Sequence, residues 1–290
     1  MKKLIFLIPI YNDWKSLLKL IDEINNTVKR IKGFEFNCIV INDASNVEQI
    51  KISKPSNIKT LKIINMKKNK GHARCNAFGL RYINTNETFD YVILMDGDGE
   101  DRPNEIIDLI NKILKEPEVS VVAKRIKRAE GLVFQLMYQA HKLIVFIFTG
   151  KKINFGNYSC LVKKDVNKLS DKASLWSSFS GSVKKHIFKL NTINSIRGTR
   201  YFGPSKMSLM NLFLHSFSII AVFKYQVFLR STFMIIILAY FNIYLGNFSI
   251  FFQILIIVFN LIIFIVSLRE KENELKNSNN NLDSITDITH

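Results

Sequence analysis

The sequence predicts a doubly wound α/β domain with a mostly parallel sheet, followed by an interfacial helix and a two-helix transmembrane hairpin. Short apolar runs alternate with helical patterns along the first two thirds of the chain, as in parallel sheets with helical crossovers. Several of these runs end abruptly in Asp or Asn, at the position where open α/β sheets bind ligands. Two long apolar segments, separated by Gly246-Asn247, occupy the last third.

The composition permits one α/β domain with additional elements. The chain has 290 residues, of which 48% are hydrophobic, and a formal net charge of +17. This charge indicates an anionic partner, such as nucleotide phosphates or an anionic membrane face. Nucleic acid is not expected, because the basic residues concentrate beside apolar segments, where the positive-inside bias accounts for many of them. Three scattered cysteines indicate reduced, buried thiols without a disulfide or a zinc site.

Apolar runs bounded by turn residues predict seven strands. They are Lys3–Ile10, Phe34–Ile41, Ile58–Met66, Tyr91–Met95, Val119–Ala123, Gly156–Val162 and Thr192–Ile196. Helices are predicted after Asn12-Asp13, from Gly71, over Pro103–Leu114 and over Trp176–Leu190. The first run stops at Pro9 without a small-residue cleavage site, so it is interpreted as a strand and not as a signal peptide. Neither a G-x-G-x-x-G fingerprint after this strand nor a P-loop occurs, which argues against a dinucleotide oxidoreductase.

The remaining apolar segments predict membrane association. Residues 132–149 are too interrupted to span a bilayer and predict an interfacial helix or a buried core helix. Residues 206–224 predict an amphipathic interfacial helix, and residues 225–268 two transmembrane helices, since about 20 apolar residues cross the hydrocarbon core. Basic residues flank both ends of this hairpin, which places the domain formed by residues 1–205 in the cytoplasm. The polar tail, residues 269–290, is predicted to be disordered.

Four acidic residues follow the predicted strand YVILM: Asp96, Asp98, Glu100 and Asp101. Carboxylates this close raise one another's pKa, and a divalent cation removes that cost. Oxygen ligands suit Mg²⁺ or Mn²⁺, which often share a substrate phosphate. A solvated acidic turn is the alternative interpretation. An EF-hand loop is excluded, because its sixth position is Asp101 instead of Gly and its twelfth is Ile107 instead of Glu.

Two further strand ends are polar, at Asn12-Asp13 and Asn42-Asp43. In a doubly wound sheet these ends lie along the same edge as the acidic residues. The pattern indicates a nucleotide-sugar site. Asp13 and Asp43 could then hydrogen-bond the base and the ribose, and Asp98 could ligate a metal on the diphosphate.

At this point the chain resembles the family 2 glycosyltransferases with a GT-A fold. The matching segments, in the family's order and spacing, are IPIYND, VINDAS, NKGHARCNAFGL and MDGDGED, the last of which corresponds to the DxD metal motif. Asn42 stands where the family usually has an acid, and Ala44 where it has Gly. The segments AKRIKR, FGNYSCLVKKDV and RGTRYFGPSKMS are similar to the polyprenyl-phosphate sugar synthases, such as the dolichyl-phosphate mannose synthase group. Those synthases more often carry an FR-type sequence in place of FGNYS.

The resemblance implies an inverting, metal-dependent glycosyltransferase that moves a sugar from a nucleotide-diphospho-sugar to a polyprenyl phosphate. Mg²⁺ or Mn²⁺ would be held by Asp96, Asp98 and Glu100, and the implied catalytic residues are Asp98, Glu100 and Asp101. Residues in the family motifs would bind the donor: Pro9, Tyr11, Asp13, Asp43, Asn69, Gly71, Asp96 and Arg125. Basic and hydroxyl residues near the membrane would hold the acceptor phosphate: Arg128, Arg200, Ser205 and Lys206. A solvated or membrane-facing basic patch is the alternative for residues 124–128.

Two other functions remain open at this stage. If the acceptor were a hydroxyl of a lipid-linked glycan or cell-surface polysaccharide, Glu100 or Asp101 would be the candidate base. A non-catalytic nucleotide-binding membrane protein is the third interpretation, and the intact Asp96 and Asp98 argue against it. We expect a multi-pass protein of a bacterial inner membrane with its catalytic domain in the cytoplasm. A homo-oligomer is compatible with the sequence, which indicates neither the sugar nor the base.

Overall fold

The computed structural model describes residues 1–127, 132–204 and 209–289. Its centre is an eight-stranded mixed sheet with the strand order β7-β5-β6-β4-β1-β2-β3-β8. The strands are β1 (Lys2–Ile10), β2 (Phe34–Asn42), β3 (Thr60–Met66), β4 (Tyr91–Leu94), β5 (Val121–Lys127), β6 (Phe155–Val162), β7 (Asn191–Ile196) and β8 (Leu282–Asp287). All seven predicted strands are therefore present, with ends shifted by a few residues.

Helices cover the sheet and continue beyond it. The α-helices are α1 (Trp14–Val28), α2 (His72–Asn86), α3 (Ile106–Lys115), α4 (Leu132–Thr149), α5 (Lys163–Leu169), α6 (Ala173–Ser177), α7 (Phe179–His186), α8 (Leu209–Ala221), α9 (Lys224–Tyr240), α10 (Asn242–Leu245), α11 (Asn247–Ser267) and α12 (Glu272–Lys276). Two 3-10 helices span Pro103–Glu105 and Ser278–Asn281. The single helix predicted over Trp176–Leu190 is wrong, because the chain breaks at Ser178, whose side chain caps α7 by accepting from the Gly181 N–H at 3.2 Å.

The sheet is buried on both faces. Successive side chains of a strand point to opposite faces, so Leu4, Phe6 and Ile8 of β1 pack in one core with α1 and α3. Ile5 and Leu7 pack in a second core with α2 and α5–α7. A central strand covered on both sides is continuously apolar, which is why β1 was recognisable from its sequence.

The sheet is mixed, and most of its strand pairs are parallel, including β5 with β7. Strands β1, β2, β3 and β4 pair in parallel, whereas β6 runs antiparallel to both β4 and β5. In that register Leu94 lies opposite Ser159, so the residues just before Ser159 lie beyond the end of β4. The basic residues Lys124 and Arg125 belong to β5 itself and do not follow it.

Most of the polar tail forms α12, a 3-10 helix and β8, which corrects the predicted disorder of residues 269–290 for these elements. Strand β8 pairs antiparallel with β3, opposing Ile285 to Ile64. Leu275 is fully buried in the second core, and Trp176 Nε1 donates to Glu274 at 3.2 Å. The tail escaped prediction because its few apolar residues are spread over a polar segment, and the one that is fully buried, Leu275, packs on a distant part of the chain.

The apolar helices form a third cluster, in which Val145 of α4 packs with Ile220, Val227 and Ile263. Helix α4 thus occupies the predicted segment 132–149 and packs on α8 and α9, and its Phe148 contacts Phe259 of α11.

Helices α9 and α11 lie side by side. Ser249 Oγ donates to the Leu238 carbonyl at 2.6 Å, and at the other end Lys224 Nζ lies 3.5 Å from Glu270 Oε2. Within the described ranges, one helix, which begins at Asn247, is long and apolar enough to cross a membrane. Helices α8 and α9 meet at a bend of 85°, and if this bent pair is counted as a single span, the number of candidate spans is two. The two-helix transmembrane hairpin therefore stays a prediction.

Candidate active site

The carboxyl ends of β1, β2 and β4 meet at one edge of the sheet. The Asp43 N–H donates to the Ile10 carbonyl at 2.9 Å, and the Met95 N–H donates to the Leu7 carbonyl at 3.2 Å. The residues that follow these three strands are therefore neighbours, including the acidic loop formed by residues 96–101. This edge is the candidate active site.

The acidic loop is held by hydrogen bonds to its own carboxylates and to β6. The Asp96 N–H donates to Asp101 Oδ2 at 3.0 Å, and the Glu100 N–H donates to Asp98 Oδ1 at 3.0 Å. Asn157 Nδ2 donates to Asp96 Oδ1 at 3.1 Å, and His72 Nε2 lies 3.1 Å from the same oxygen. Asp96 is thus oriented by side chains from α2 and β6.

Burial and mutual repulsion set the charges of this loop. Burial, together with the charge of Asp96, raises the pKa of Asp98 to about 6 and that of Asp101 to about 8. Burial alone would also raise the pKa of Asp96, but His72, with Arg197 and Arg125, holds it well below its usual range. Ionising all carboxylates of the loop is therefore unfavourable, and a bound cation would remove this cost.

Residues 197–201, here called the covering segment, lie across the acidic loop. Arg197 pairs with Glu100, and Arg200 pairs with both Asp98 and Asp13, with 2.9 Å between Arg200 Nη1 and Asp98 Oδ2. Backbone bonds add to these pairs, because the Tyr201 N–H donates to the Asp98 carbonyl at 2.9 Å. Two arginines thus neutralise carboxylates that the sequence assigned to a metal.

The covering segment is anchored at the end of β7. Buried Glu105 accepts from Ser195 Oγ at 2.6 Å and from the Ile196 N–H at 3.0 Å. At its other end, Tyr201 donates to Glu23 Oε2 at 2.6 Å. A Cβ on Gly99 would lie 2.3 Å from the Tyr201 ring, so the close approach of the segment requires glycine in the acidic loop.

The oxygen donors of the acidic loop fit Mg²⁺ or Mn²⁺ by type. In the part of the chain that the structure describes, however, no group of three His, Cys, Asp or Glu side chains is arranged to hold an ion. Asp98 contacts Arg200 instead, and Glu100 contacts Arg197. A cation bound by Asp98 would therefore compete with the guanidinium of Arg200.

The predicted donor residues of the first two strands lie at the same edge. Pro9 is buried in β1, and its carbonyl would lie 3.0 Å from a Cβ on Gly97, so it supports the acidic loop from behind. Tyr11 is 38% exposed and directly follows β1. Asp13 starts α1, and its carboxylate pairs with Arg200.

Asp43 holds a backbone turn. Its two carboxylate oxygens accept from the N–H groups of Lys70 and Gly71, each at 2.8 Å. Gly71 has a φ of 89° and directly precedes α2, a left-handed conformation that glycine adopts without strain. Asn69 is exposed in the same turn. The residues predicted from VINDAS and NKGHARC are therefore brought together.

The predicted phosphate-binding residues divide into two groups. A Cβ on Gly156 would lie 2.5 Å from Arg125 Nη2, so the guanidinium of Arg125 lies against β6, and its charge lowers the pKa of Asp96. Arg200, expected on the acceptor phosphate, contacts the donor-side acids instead. Arg128, Ser205 and Lys206 lie outside the described residues.

Sequence reasoning missed three residues of this site: His72, Asn157 and Arg197. His72 and Asn157 share a contact, with 2.7 Å between His72 Nε2 and Asn157 Nδ2. The departure from the family pattern at FGNYS was a signal for Asn157, but its use required knowledge that β6 runs antiparallel to β4. No local pattern distinguished Arg197 from a residue that only sets membrane topology.

Comparison with known proteins agrees with the fold. The family model described as glycosyl transferase family 2 matches residues 5–178, more than half of the chain. The sequence matches none of the curated proteins. Glucosyl-3-phosphoglycerate synthase from Mycobacterium tuberculosis, solved with Mn²⁺, UDP-glucose and phosphoglyceric acid, is similar with a TM-score of 0.52 and 14% identity over 78% of this chain and 80% of that chain. Mannosyl-3-phosphoglycerate synthase from Rubrobacter xylanophilus is similar with a TM-score of 0.53 and 13% identity over 76% of this chain and 72% of that chain.

Proposed function

The chain belongs to glycosyl transferase family 2, and we propose that it is an inverting enzyme that moves a sugar from a nucleotide-diphospho-sugar to a polyprenyl phosphate. The observation that carries the proposal is the position of Asp96 and Asp98 at the end of β4, on the edge that also holds Asp13 and Asp43. A donor at this edge meets carboxylates for a metal and polar groups for a nucleotide.

The donor is proposed to lie across the ends of β1, β2 and β4. Asp13 and the turn held by Asp43 offer hydrogen-bonding groups for the base and ribose. Arg125, near Asp96, supplies positive charge for the diphosphate. These placements are supported by the position of the residues at one edge of the sheet and by the charge of Arg125, which lowers the pKa of Asp96.

A divalent cation, Mg²⁺ or Mn²⁺, is proposed to bind at Asp96 and Asp98, with Glu100 as a further ligand. When bound, it supplies a Lewis acid that stabilises the leaving nucleoside diphosphate. The chain's own contribution is to orient Asp96 through Asn157 and His72. Asp98 would leave its pair with Arg200 in order to bind the cation. Without the Asp98 contact, Arg200 would keep its pair with Asp13 through Nη2 and could donate from Nη1 to a phosphate.

A polyprenyl phosphate is supported as the acceptor by two observations. The apolar side chains of α9 and α11 are largely exposed, as expected for a surface in contact with lipid. Both hydroxyl-acceptor base candidates are also engaged: Glu100 pairs with Arg197, and buried Asp101 accepts from the Asp96 N–H. A phosphate acceptor is already anionic and needs no such base. Its phosphate is proposed to contact Arg128, Arg200, Ser205 and Lys206.

We further propose that α9 and α11 cross the membrane as a hairpin, with residues 1–204 on the cytoplasmic side of a bacterial inner membrane. The chain leaves the α/β domain before α8 and returns to pair β8 with β3, so an even number of crossings is required. Lys224, Arg269 and Lys271 flank the ends nearest the sheet, in agreement with the positive-inside rule.

The acceptor is tested with the purified full-length protein in detergent. The protein is incubated with Mn²⁺, a panel of UDP- and GDP-sugars, and one acceptor at a time: undecaprenyl phosphate, dolichyl phosphate, a lipid-linked glycan or 3-phosphoglycerate. Radiolabelled lipid extracted from the polyprenyl phosphate reactions is the expected result. Label found only on the glycan or only on phosphoglycerate would contradict the proposed acceptor while retaining the transferase activity.

A further inference from the structure

We propose that the C-terminal segment 277–287 is a positioning element of the donor site, in which Asn281 fixes the turn 67–71 that Asp43 binds. This inference rests on the proposed function, because it assigns the turn to donor binding. The family match ends at residue 178, so it assigns no role to the C-terminal segment.

Asn281 holds the turn by three hydrogen bonds. Its carbonyl accepts from the Lys67 N–H at 2.7 Å, its Oδ1 accepts from the Lys68 N–H at 3.1 Å, and its Nδ2 donates to the Lys68 carbonyl at 2.9 Å. The side-chain amide therefore bonds both polar groups of one backbone residue. This requires a donor and an acceptor on one short side chain, and the Asn281 amide provides both.

Among the described residues the turn has few other contacts, one of which is the bond from Arg74 Nη1 to the Lys70 carbonyl at 3.0 Å. Residues 67–70 are all exposed, so apolar packing contributes little to their position. Two residues beyond Lys68, the N–H groups of Lys70 and Gly71 reach the carboxylate of Asp43. Asn281 and Asp43 thus hold the turn from its two ends, and the position of its amides depends on both.

A second contact of the segment reaches the donor edge through a row of side chains. Asn65 Nδ2 donates to Ser284 Oγ at 3.1 Å, and Asn42 Nδ2 donates to Asn65 Oδ1 at 2.9 Å. The Ser45 N–H donates to Asn42 Oδ1 at 3.1 Å, and the Asn12 N–H donates to Ser45 Oγ at 2.8 Å. The row runs from β8 through β3 and β2 to Asn12, which follows β1.

This row gives a reason for Asn42. An acid, which the family usually has at this position, could not donate to Asn65 Oδ1 when ionised. An amide both donates to Asn65 and accepts from Ser45. Asn42 and Ser284 of the C-terminal strand are therefore parts of one hydrogen-bonded row.

The segment is attached independently of Asn281. Leu275 is fully buried, and the ladder between β8 and β3 extends from the Lys62–Asp287 pair to the Met66–Leu282 pair. Removal of one side-chain amide is therefore expected to leave the tail docked, which makes Asn281 accessible to mutation.

The test measures binding of UDP and GDP, with Mn²⁺, to the full-length protein in detergent by calorimetry, well below the melting temperature. For Asn281→Ala we expect the Kd of the bound nucleotide to rise about tenfold, because the turn loses two hydrogen bonds. Asn281→Asp keeps the acceptor for the Lys68 N–H, so its nucleotide Kd should lie between those of wild type and Asn281→Ala. Asn280→Ala is the matched control, since the exposed side chain of Asn280 forms no hydrogen bond with the described residues of the turn.

A steady-state assay separates positioning from stability. Asn281→Ala should raise the KM for the nucleotide-sugar and leave the KM for the acceptor unchanged. Ser284→Ala removes the acceptor for Asn65 and should raise the nucleotide Kd about threefold. This variant provides the test if Asn281→Ala does not fold.

The outcomes distinguish this inference from the proposed function. If wild type binds nucleotide and both Asn281→Ala and Ser284→Ala bind it within twofold of wild type, the segment only caps the edge of the sheet and the inference is wrong. If wild type binds neither nucleotide, the proposed function fails and this inference fails with it.

Discussion

The guanidinium of Arg200 lies between the carboxylates of Asp13 and Asp98 and pairs with both. These acids follow β1 and β4, so one side chain of the covering segment joins the proposed nucleotide side of the site to the proposed metal side. The side chains of all three residues are largely buried, with 14% exposure for Arg200. The pairs are therefore screened little by solvent.

Arg200→Ala should make the protein more dependent on a metal. Without metal, the loss of the arginine leaves two carboxylates unpaired and should lower Tm by about 3 °C. Because the cation no longer competes with the guanidinium, Mn²⁺ should raise Tm by about 5 °C more in the variant than in wild type. Differential scanning fluorimetry with EDTA or Mn²⁺ measures both effects.

Arg81→Ala is the matched control for this experiment. Arg81 also pairs with an aspartate, Asp171, but on the far end of α2 from the acidic loop. The rise in Tm that Mn²⁺ causes in Arg81→Ala should equal the rise in wild type. Equal metal responses of Arg200→Ala and wild type would show that Asp98 does not exchange Arg200 for a cation.

Asn157→Ala should weaken metal use without abolishing activity. Asn157 donates to Asp96 Oδ1, and removal of a residue that orients a metal ligand typically costs 10–100-fold in metal affinity or activity. We expect the Mn²⁺ concentration for half-maximal transfer to rise about tenfold. Asn167→Ala, on the exposed face of α5, is the control. If the Mn²⁺ concentration for half-maximal transfer is unchanged in Asn157→Ala, Asn157 does not orient a metal ligand.

A pair of glycine variants isolates the contact between the acidic loop and Tyr201. Gly99 and Gly203 both have positive φ, of 89° and 65°, so alanine is strained at either position by about 1 kcal/mol. A Cβ on Gly99 also meets the Tyr201 ring at 2.3 Å, whereas one on Gly203 meets nothing within 4 Å. Gly99→Ala should therefore destabilise the protein by about 2 kcal/mol more than Gly203→Ala, as judged by thermal or denaturant unfolding.

The double variant Gly99→Ala/Tyr201→Ala checks the cause. Since the alanine methyl and the ring then no longer overlap, the cost of Gly99→Ala should fall to that of Gly203→Ala. A Gly99→Ala cost that is the same with and without Tyr201 would assign the effect to backbone strain alone.

Membrane topology can be read with introduced cysteines, because the native Cys38, Cys75 and Cys160 are all buried. Asn247 is exposed at the start of α11 and Asn280 is exposed in the tail. If α9 and α11 form a transmembrane hairpin, a membrane-impermeant maleimide added to spheroplasts should label Asn247→Cys at once. It should label Asn280→Cys only after lysis. Labelling of both sites from outside, or of Asn247 only after lysis, contradicts the proposed hairpin.

The parallel part of the fold was predictable because its signals are local. The first strand is continuously apolar from Leu4 to Ile10 and is followed by polar residues, and this identifies both a buried strand and its ligand-binding end. The same pattern predicts that Asp43 and Asp96 lie on one edge.

The remaining parts depend on contacts that a local pattern does not contain. The direction of β6 decides that Asn157 reaches Asp96, and the pairing of β8 with β3 decides that Asn281 reaches Lys68. Arg200 was recognised as a phosphate-binding candidate, but its pairing with Asp13 joins residues 187 positions apart. Sequence spacing alone does not define such contacts.

The central claim, that the acidic loop catalyses metal-dependent sugar transfer, is tested most directly by Asp98→Asn. The measurement is the initial rate of radiolabelled sugar transfer to undecaprenyl phosphate with Mn²⁺, beside Asp108→Asn, which changes an exposed aspartate of α3. Loss of a metal ligand at a leaving diphosphate should lower kcat at least about 100-fold, with Tm near that of wild type. Asp108→Asn should transfer at the wild-type rate. Wild-type transfer by Asp98→Asn, or transfer that persists in EDTA, would contradict the account.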